Sequence, residues 1–403
     1  MVANAPYAQA AHQRAPWAIS VRVPAAAMTR TRLIPLALGL CVTAMSAFAQ
    51  ASPDGPSYAN DARVRAFAES WAQANGQSFA QVWGVLRQAK RRDNVIQLVK
   101  PAPNVREKNW AEYRRRFITP HRIARGLKFW REHAGALARA QRRYGVEAHI
   151  IVGILGVETI FGQYKGRVRT LDALTTLAFD FPAEHPRAEQ RQAYFQGELG
   201  ALLRLSQASA RAASDWRGSY AGALGYPQFM PSSWLRWGVD FDANGRVDLV
   251  QSPVDAIGSV AHYLAEHGWQ HGLPARWPTT LKPLAAADTS PETTAMRQAR
   301  AQALQPDIVP TLDAAALAAA GAALPKQWVR AEAAPNAPLA LVELHNGATG
   351  EPSHVIGSPN FYAITRYNQS SYYALAVIEL GEAIAEARQR ASSAKPAPKA
   401  PAR

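Results

Sequence analysis

Residues 144–162 read YGVEAHIIVGILGVETIFG and place one carboxylate deep in a run of Ile, Val, Leu and Gly. Glu158 follows Leu155, Ile154 and Ile151 by three, four and seven residues, so helical spacing puts it on their apolar face. Apolar residues are too dense here for a surface helix, and the segment predicts a buried one. A carboxyl held there without a cation favours its neutral form, and its pKa rises toward neutrality. That is the state in which a general acid must start. The competing reading is a glutamate near a helix end that reaches solvent or pairs with Arg167 or Arg169.

The loop at 218–238, GSYAGALGYPQFMPSSWLRWG, supplies what such an acid needs around it. Its glycines permit close backbone approach, and Ser219, Gln228 and Ser232 offer neutral hydrogen-bond groups. Trp and Tyr faces stack on the apolar faces of sugar rings as on other flat groups. For any one of these aromatics, core packing is the commoner role. As a cluster beside a buried acid they predict a carbohydrate groove. A glycosidase normally pairs its acid with a second carboxylate. Asp172, Asp180, Glu198 and Asp215 are available, and none sits in an equally telling setting.

Residues 240–251, DFDANGRVDLVQ, carry Asp240, Asp242 and Asn244 at alternate positions before Gly245, the front half of an EF-hand loop. Arg246 would add its backbone carbonyl. The twelfth position, where a bidentate Glu is expected, is Gln251, and the next acid able to close the site is Asp255. An ion held there would be structural calcium, since the loop offers only hard oxygen ligands. The same residue types also make Asx turns without any metal.

These segments need helices to hold them, and residues 58–272 are helix-rich. The stretches 61–75, 79–89, 123–144 and 193–209 show helical spacing of Leu, Ala, Trp and Phe. Thr119-Pro120 and Ser252-Pro253 each set an N-cap residue before a Pro at the first helical position. Composition shifts near Pro274. Residues 274–358 mix Pro-rich turns, an Ala-rich helix at 312–323 and a strand-like run at 339–344, with Asn346-Gly347 marking a turn between strands. That stretch is expected to be a small α/β insert, with helix returning at 372–388. The expected fold class is α+β, mainly α: a helical region at 58–273 and 359–390, the insert, and a disordered Pro/Ala/Lys tail at 391–403.

Residues 29–49, TRTRLIPLALGLCVTAMSAFA, have the form of a secretory leader. Arg30 and Arg32 precede an apolar run of roughly fifteen residues that closes at Ala47-Phe48-Ala49. Met28 is the expected start, which makes 28–49 the signal peptide and 1–27 a mis-annotated extension. Pro35 and the A-x-A ending argue against a buried helix. Cys41 follows Leu40, which is not small, so a lipoprotein anchor is not expected. The mature chain is expected to be a soluble, periplasmic monomer.

The chain has 403 residues, 45 Lys+Arg and 30 Asp+Glu, a formal charge of +15. A hydrophobic content of 48% with 19% charged residues supports a large core and excludes a mainly disordered chain. A single Cys excludes a disulfide scaffold and a Cys-ligated zinc cluster. The basic excess leaves nucleic acid, an anionic membrane face or an acidic envelope polymer as partners. Export and the lack of any recognised DNA- or RNA-binding motif weigh against the first. Four basic residues lie in residues 1–49 and five beyond Ala387, which leaves +6 on residues 50–386.

Taken together, YRRRFITP (113–120), IVGILGVETIFG (151–162), GALGYPQFMPSSW (222–234), SPVDAIGSVAHYLAEHGW (252–269) and NFYAITRYNQSSYYALAV (360–377) resemble the membrane-bound lytic murein transglycosylase B family. The resemblance runs over residues 60–386. It implies a lysozyme-like helical core with an EF-hand-like loop and a small β-containing insert. It also implies a single catalytic acid at Glu158 and no catalytic cofactor. By motif position it implies glycan contacts from Tyr113, Ser219, Gln228, Tyr263, Tyr367 and Asn368, with Tyr373 nearby. Asp240, Asp242, Asn244, Arg246 and Asp255 would line a structural calcium site. The chain departs from the family in a calcium loop one residue longer before Asp255, an insertion at the groove's edge (AEHPRAEQRQ, 183–192) and the missing lipobox.

The chemistry this resemblance implies needs no second carboxylate. Glu158 would protonate the glycosidic oxygen between N-acetylmuramic acid and N-acetylglucosamine, then take the proton from the muramoyl C6 hydroxyl as that oxygen closes onto C1. The product is a 1,6-anhydromuramoyl end. The alternatives are a hydrolytic muramidase that directs water with another acid, and a non-catalytic peptidoglycan-binding protein. Peptidoglycan glycan strands are the expected partner, with cell-wall synthesis proteins as further ones. The residual positive charge suits a salt-screened attraction to stem-peptide carboxylates.

Overall fold

Six helices lead to the segment that carries Glu158: α1 (Ala62–Ala74), α2 (Phe79–Leu86), α3 (Asp93–Val99), α4 (Trp110–Phe117), α5 (Pro120–Glu132) and α6 (Ala134–Tyr144). A computed structural model describes residues 55–101, 108–324 and 337–393. The expected leader at 28–49, residues 1–27 and the tail beyond Ser393 lie outside the described residues. Caps set the helix starts as the sequence predicts. The Thr119 side chain accepts from Arg122 N with Pro120 at the first helical position, and Asp61 accepts from Arg63 N and Val64 N.

The stretch expected as one helix at 123–144 is two. His133, at φ −118° and ψ 23°, closes α5 and opens α6. Buried positions on either side, Phe129 and Trp130 before it and Ala136, Leu137 and Ala140 after it, keep helical spacing through the break. The apolar pattern therefore does not reveal it.

Next comes α7 (Ala148–Thr159), buried at every position from Ile150 to Val157. Strand β1 (Val168–Arg169) pairs antiparallel with β2 (Arg217–Gly218) around α8 (Thr170–Phe179) and α9 (Ala188–Ala208). Then follow α10 (Pro231–Trp237) and α11 (Pro253–Glu266). The insertion at 183–192 partly extends a helix, because α9 starts at Ala188 and not near 193.

Residues 274–358 hold β3 (Arg276–Thr279), α12 (Pro291–Leu304), α13 (Ala314–Ala319), β4 (Ala340–Leu344) and β5 (Ser353–Gly357). The Ala-rich helix is shorter than the expected 312–323. The strands form an antiparallel sheet in the order β3-β5-β4. Alternation gives it two apolar faces. Ala340, Val342 and Leu344 join the main core, whereas Leu341 and its register partner Ile356 join Trp277 and Leu317 in a second, smaller core. Gly347 takes φ 81° in the turn between β4 and β5.

The last helices are α14 (Pro359–Tyr367) and α15 (Ser371–Ser393). The latter runs past the expected 372–388 and takes in residues 391–393, which the sequence reading gave to the tail. Helix α15 lies antiparallel along α7. A Cβ at Gly153 would meet the Val377 carbonyl oxygen at 2.2 Å, and one at Gly381 would meet that of His149 at 2.2 Å. Only glycine permits this approach, and its register carries the C-terminal end of α7 to Tyr373. Among the described residues no helix is long and apolar enough to cross a membrane.

Candidate active site

Glu158 is half-buried at the last turn of α7, between fully buried Val157 and Thr159. Its carboxylate Oε1 accepts a 2.5 Å hydrogen bond from the Tyr373 hydroxyl. Burial raises the Glu158 pKa to about 7, and the Tyr373 bond opposes part of that rise. The cations that could have neutralised it are occupied elsewhere or distant: the Arg169 guanidinium bonds Asp172 through Nε at 2.7 Å, and Arg167 has no ion pair with Glu158. The reading in which Glu158 is one half of a structural salt bridge is therefore set aside.

The chain turns sharply after α7. Ile160, Phe161 and Gly162 all have positive φ. Thr159 Oγ1 accepts from Gly162 N at 2.9 Å and donates to the Tyr226 carbonyl at 2.9 Å, which ties the end of α7 to the 218–238 loop. A Cβ on Gly162 would sit 2.1 Å from the Tyr226 ring.

Within that loop, Ser219 Oγ accepts from Ala223 N at 3.0 Å. Gln228, at φ 52°, donates its amide to the carbonyls of Gly225 at 2.8 Å and Lys165 at 3.3 Å. Ser232 serves a different purpose from the ligand contact its type allowed. Its Oγ and N donate to Glu198 at 2.6 and 3.0 Å, so that Glu198 caps α10. Trp216 and Trp234 pack edge to face in the core, not on a groove.

A wall of tyrosines stands beside the acid. The Tyr367 ring stacks at 6.3 Å from Tyr373, and Tyr263 meets Tyr367 edge-on at 4.8 Å. Their hydroxyls donate to backbone carbonyls, Tyr367 to Pro227 at 2.5 Å and Tyr263 to Arg366 at 2.6 Å. Burial, then the charge of Glu158, pushes the Tyr367 and Tyr373 hydroxyls far up, so both remain donors. Tyr113 is half-buried against Phe117 and Tyr372, with ring centres 4.9 and 5.8 Å away, within electrostatic reach of Tyr373. Asn368 ends α14 next to Tyr367. Glu158, Tyr263, Tyr367 and Tyr373 thus come together, with Tyr113 beside them and Ser219 and Gln228 shaping the adjoining loop.

The other carboxylates are committed. Asp172, fully buried, accepts from Arg92 Nε at 2.9 Å, Arg169 Nε at 2.7 Å and Lys90 N at 3.0 Å. Asp180 accepts from Tyr58 and Arg63 at 2.5 and 3.0 Å. Asp215 accepts from the neighbouring Ser214 in a short helical turn. None is a free partner for Glu158.

Two residues that sequence reasoning did not single out, Tyr194 and Arg191, lie toward the Tyr263 side of this wall. Tyr194 is 41% exposed on α9, within electrostatic reach of Tyr263 and Glu198. Arg191, whose pKa burial lowers, lies in the fields of Tyr194 and Arg187. The arginines inside the 183–192 insertion, followed by Tyr194-Phe195, were the available signal.

In the 240–255 loop, oxygens of Asp240, Asp242 and Asp255 all lie within 4.8 Å of one another. Asp255, the acid expected to close the loop where Gln251 stands at the twelfth position, accepts from Phe241 N at 2.8 Å and Asp248 N at 2.8 Å. Asp240 accepts from Gly245 N at 2.7 Å, and Asn244 Oδ1 from Arg246 N at 3.1 Å. Burial, with the Asp242 charge as a lesser cause, raises the Asp255 pKa. Converging hard oxygens on a pre-turned loop fit a divalent cation of the calcium type.

Residues 59–382 match the family model described as the transglycosylase SLT domain. The chain is 38% identical over 343 residues to membrane-bound lytic murein transglycosylase B of Escherichia coli strain K12, covering 83% of this chain and 86% of that protein. The structure of the Escherichia coli lytic transglycosylase Slt35 in complex with calcium superposes with a TM-score of 0.67 at 36% identity, over 83% of this chain and 96% of that one. SltB3 from Pseudomonas aeruginosa in complex with NAG-anhNAM-pentapeptide gives a TM-score of 0.64 at 26% identity, over 80% and 79% of the two chains.

Proposed function

This chain belongs to the transglycosylase SLT domain family and is a lytic transglycosylase of peptidoglycan; on that premise we propose that Glu158 alone serves first as acid and then as base. One Glu158 oxygen accepts from Tyr373, so the acidic proton of the neutral form sits on the other oxygen. That proton passes to the glycosidic oxygen between N-acetylmuramic acid and N-acetylglucosamine as the bond from C1 breaks. The muramoyl 2-acetamido oxygen stabilises the cationic C1. Ionised Glu158 then removes the C6 hydroxyl proton while O6 bonds to C1. Acid and enzyme are restored, no water is consumed, and the product carries a 1,6-anhydromuramoyl end. Closure within one ring has the advantage of an intramolecular step over attack by water.

The observation that carries this reading is Glu158 held near pKa 7 while the other acids of the helical core, Asp172 and Glu198, are engaged by Arg92 and Ser232. The anhydro ligand named for the SltB3 complex is consistent with it. Tyr113, Ser219, Gln228, Tyr263, Tyr367, Asn368 and Tyr373 are read as the walls that hold the glycan. Mass spectrometry of digested sacculi tests the proposal. Anhydro ends from the parent and none from Glu158→Gln are expected, whereas reducing ends would make the protein a hydrolase. Unchanged lysis by Glu158→Gln would remove Glu158 from the chemistry.

We further read Asp240, Asp242, Asn244, the Arg246 carbonyl and Asp255 as ligands of a structural calcium ion, with no part in bond cleavage. Calcium should raise the melting temperature and a chelator should reverse it; no heat on titration with millimolar calcium discards the site. The division into a helical region and an insert at 274–358 is supported by the separate small core around Trp277 and Leu317. The leader at 28–49 supports export to the periplasm as a soluble protein, and a mature chain starting at acylated Cys41 would contradict the soluble form.

A further inference from the structure

The basic charge of the folded region is concentrated in one place. Residues 110–144 contain ten Lys and Arg and two acids, Glu112 and Glu132, a net +8 that exceeds the +6 of residues 50–386 as a whole. These residues form α4, α5 and α6. Each helix turns its apolar side to the core, through Phe117, Phe129 and Trp130, and Leu137 and Ala140. On the outer side Arg115, Arg116, Arg131, Arg139, Arg142 and Arg143 are all exposed. Arg114 pairs with Glu379 and Lys128 with Glu132, while these six have no carboxylate partner among the described residues.

The basic face begins at the site. His121 at the start of α5 is 3.3 Å from Gln163, just beyond the end of α7, and Arg122 donates to the Gly156 carbonyl of α7 at 3.3 Å. Tyr113 and Arg125 stand within electrostatic reach of Tyr373 and Tyr226. The start of this basic face therefore adjoins the site, and its six exposed guanidinium groups have no carboxylate partner among the described residues, although Arg139 donates to the Phe241 carbonyl and stacks on the Phe241 ring. A bilayer is a poorer match, because surface-bound helices insert large apolar side chains. Among the described residues the exposed ones are Leu98, Tyr164, Tyr194 and Leu235, none of them on α4 to α6.

We propose that the outer face of α4, α5 and α6 is a docking surface for the carboxylates of peptidoglycan stem peptides, and that it holds the enzyme on the sacculus beside the strand being cut. This rests on peptidoglycan as the substrate of the Glu158 groove. Arginine forks suit carboxylates, and a row of them gives a long-range attraction screened by salt.

The test is co-sedimentation of full-length Glu158→Gln with intact sacculi, so that no bond cleavage is needed and failure of the anhydro mechanism leaves the result readable. Changing Arg116, Arg131, Arg142 and Arg143 together to Gln should weaken binding about tenfold or more at ~20 mM salt and remove most of its loss at ~300 mM. The same four changed to Lys should bind as the parent does. Sacculi stripped of stem peptides should bind the parent as weakly as intact sacculi bind the Gln variant. With Glu158 restored, the Gln variant should cleave a short peptide-free glycan at the parental rate. The proposal is overturned if the Gln variant binds intact sacculi like the parent or if stripped sacculi bind as tightly as intact ones. It is equally overturned if the loss appears on phosphatidylglycerol vesicles and not on sacculi.

Discussion

Glu158 on α7 and Asp172 on α8 are both carboxylates carried into the helical core, and they do opposite work. Asp172 is fully buried and held by two arginines and a backbone amide, which fasten residues 90–92 to α8. Glu158 is less buried, yet its one side-chain bond comes from a neutral phenol. Depth alone therefore does not decide what a buried acid does. The company of a cation turns Asp172 into a structural clamp, and the lack of one leaves Glu158 with a proton to give near neutral pH.

Exchanging the two roles by mutation is the sharpest way to break this contrast. Glu158→Gln should lower turnover of sacculi by ~10³-fold while the protein stays folded, read from the rate of soluble muropeptide release. Asp172→Asn should instead cost about 3 kcal/mol of stability by leaving two guanidinium groups without their carboxylate, with the folded fraction still active. Denaturant unfolding beside the activity assay separates the two outcomes.

Stability against pH extends the contrast. The folded protein holds the Glu158 proton more tightly than the unfolded chain, with a pKa near 7 against 4.5. The parent should then lose stability as pH climbs from 4.5 through 7, by about 3 kcal/mol in all. Glu158→Gln cannot ionise, so it should match the parent in acid and exceed it above pH 7. An equal stability difference at every pH would mean that burial does not perturb this carboxyl.

The smallest effect is expected at Tyr373. Its bond holds the Glu158 pKa down, so Tyr373→Phe should move the alkaline fall in activity to higher pH. The maximal rate should drop by less than about tenfold, the loss of a single hydrogen bond. A shift to lower pH would reverse the assigned sign.

The buried helix around Glu158 is legible in the sequence because three- and four-residue spacing alone assembles its apolar face. So is the convergence of Asp240, Asp242 and Asp255, whose spacing is local, with Asp255 the first acid after the twelfth loop position. The partner of Glu158 is another matter. Tyr373 lies 215 residues away, and it reaches the acid only because Gly153 and Gly381 let α7 and α15 close together. The same holds for Asp172, whose partner Arg92 lies 80 residues upstream. Spacing marks Asp172 and Glu198 as available acids; the Arg169 bond to Asp172 is local, but those from Arg92 to Asp172 and from Ser232 to Glu198 span 80 and 34 residues. The break at His133 is hidden for a local reason, since the buried pattern continues through it.

The central claim is that Glu158 keeps its proton near neutral pH because it is buried and, among the described residues, pairs with no cation. The carboxyl carbon-13 resonance of Glu158, assigned by its absence from Glu158→Gln, measures this directly across pH. A titration midpoint near 7 is the predicted result. A midpoint near the ordinary 4.5 would mean that Glu158 is charged at neutral pH, and the account of how this site cleaves its substrate would fail.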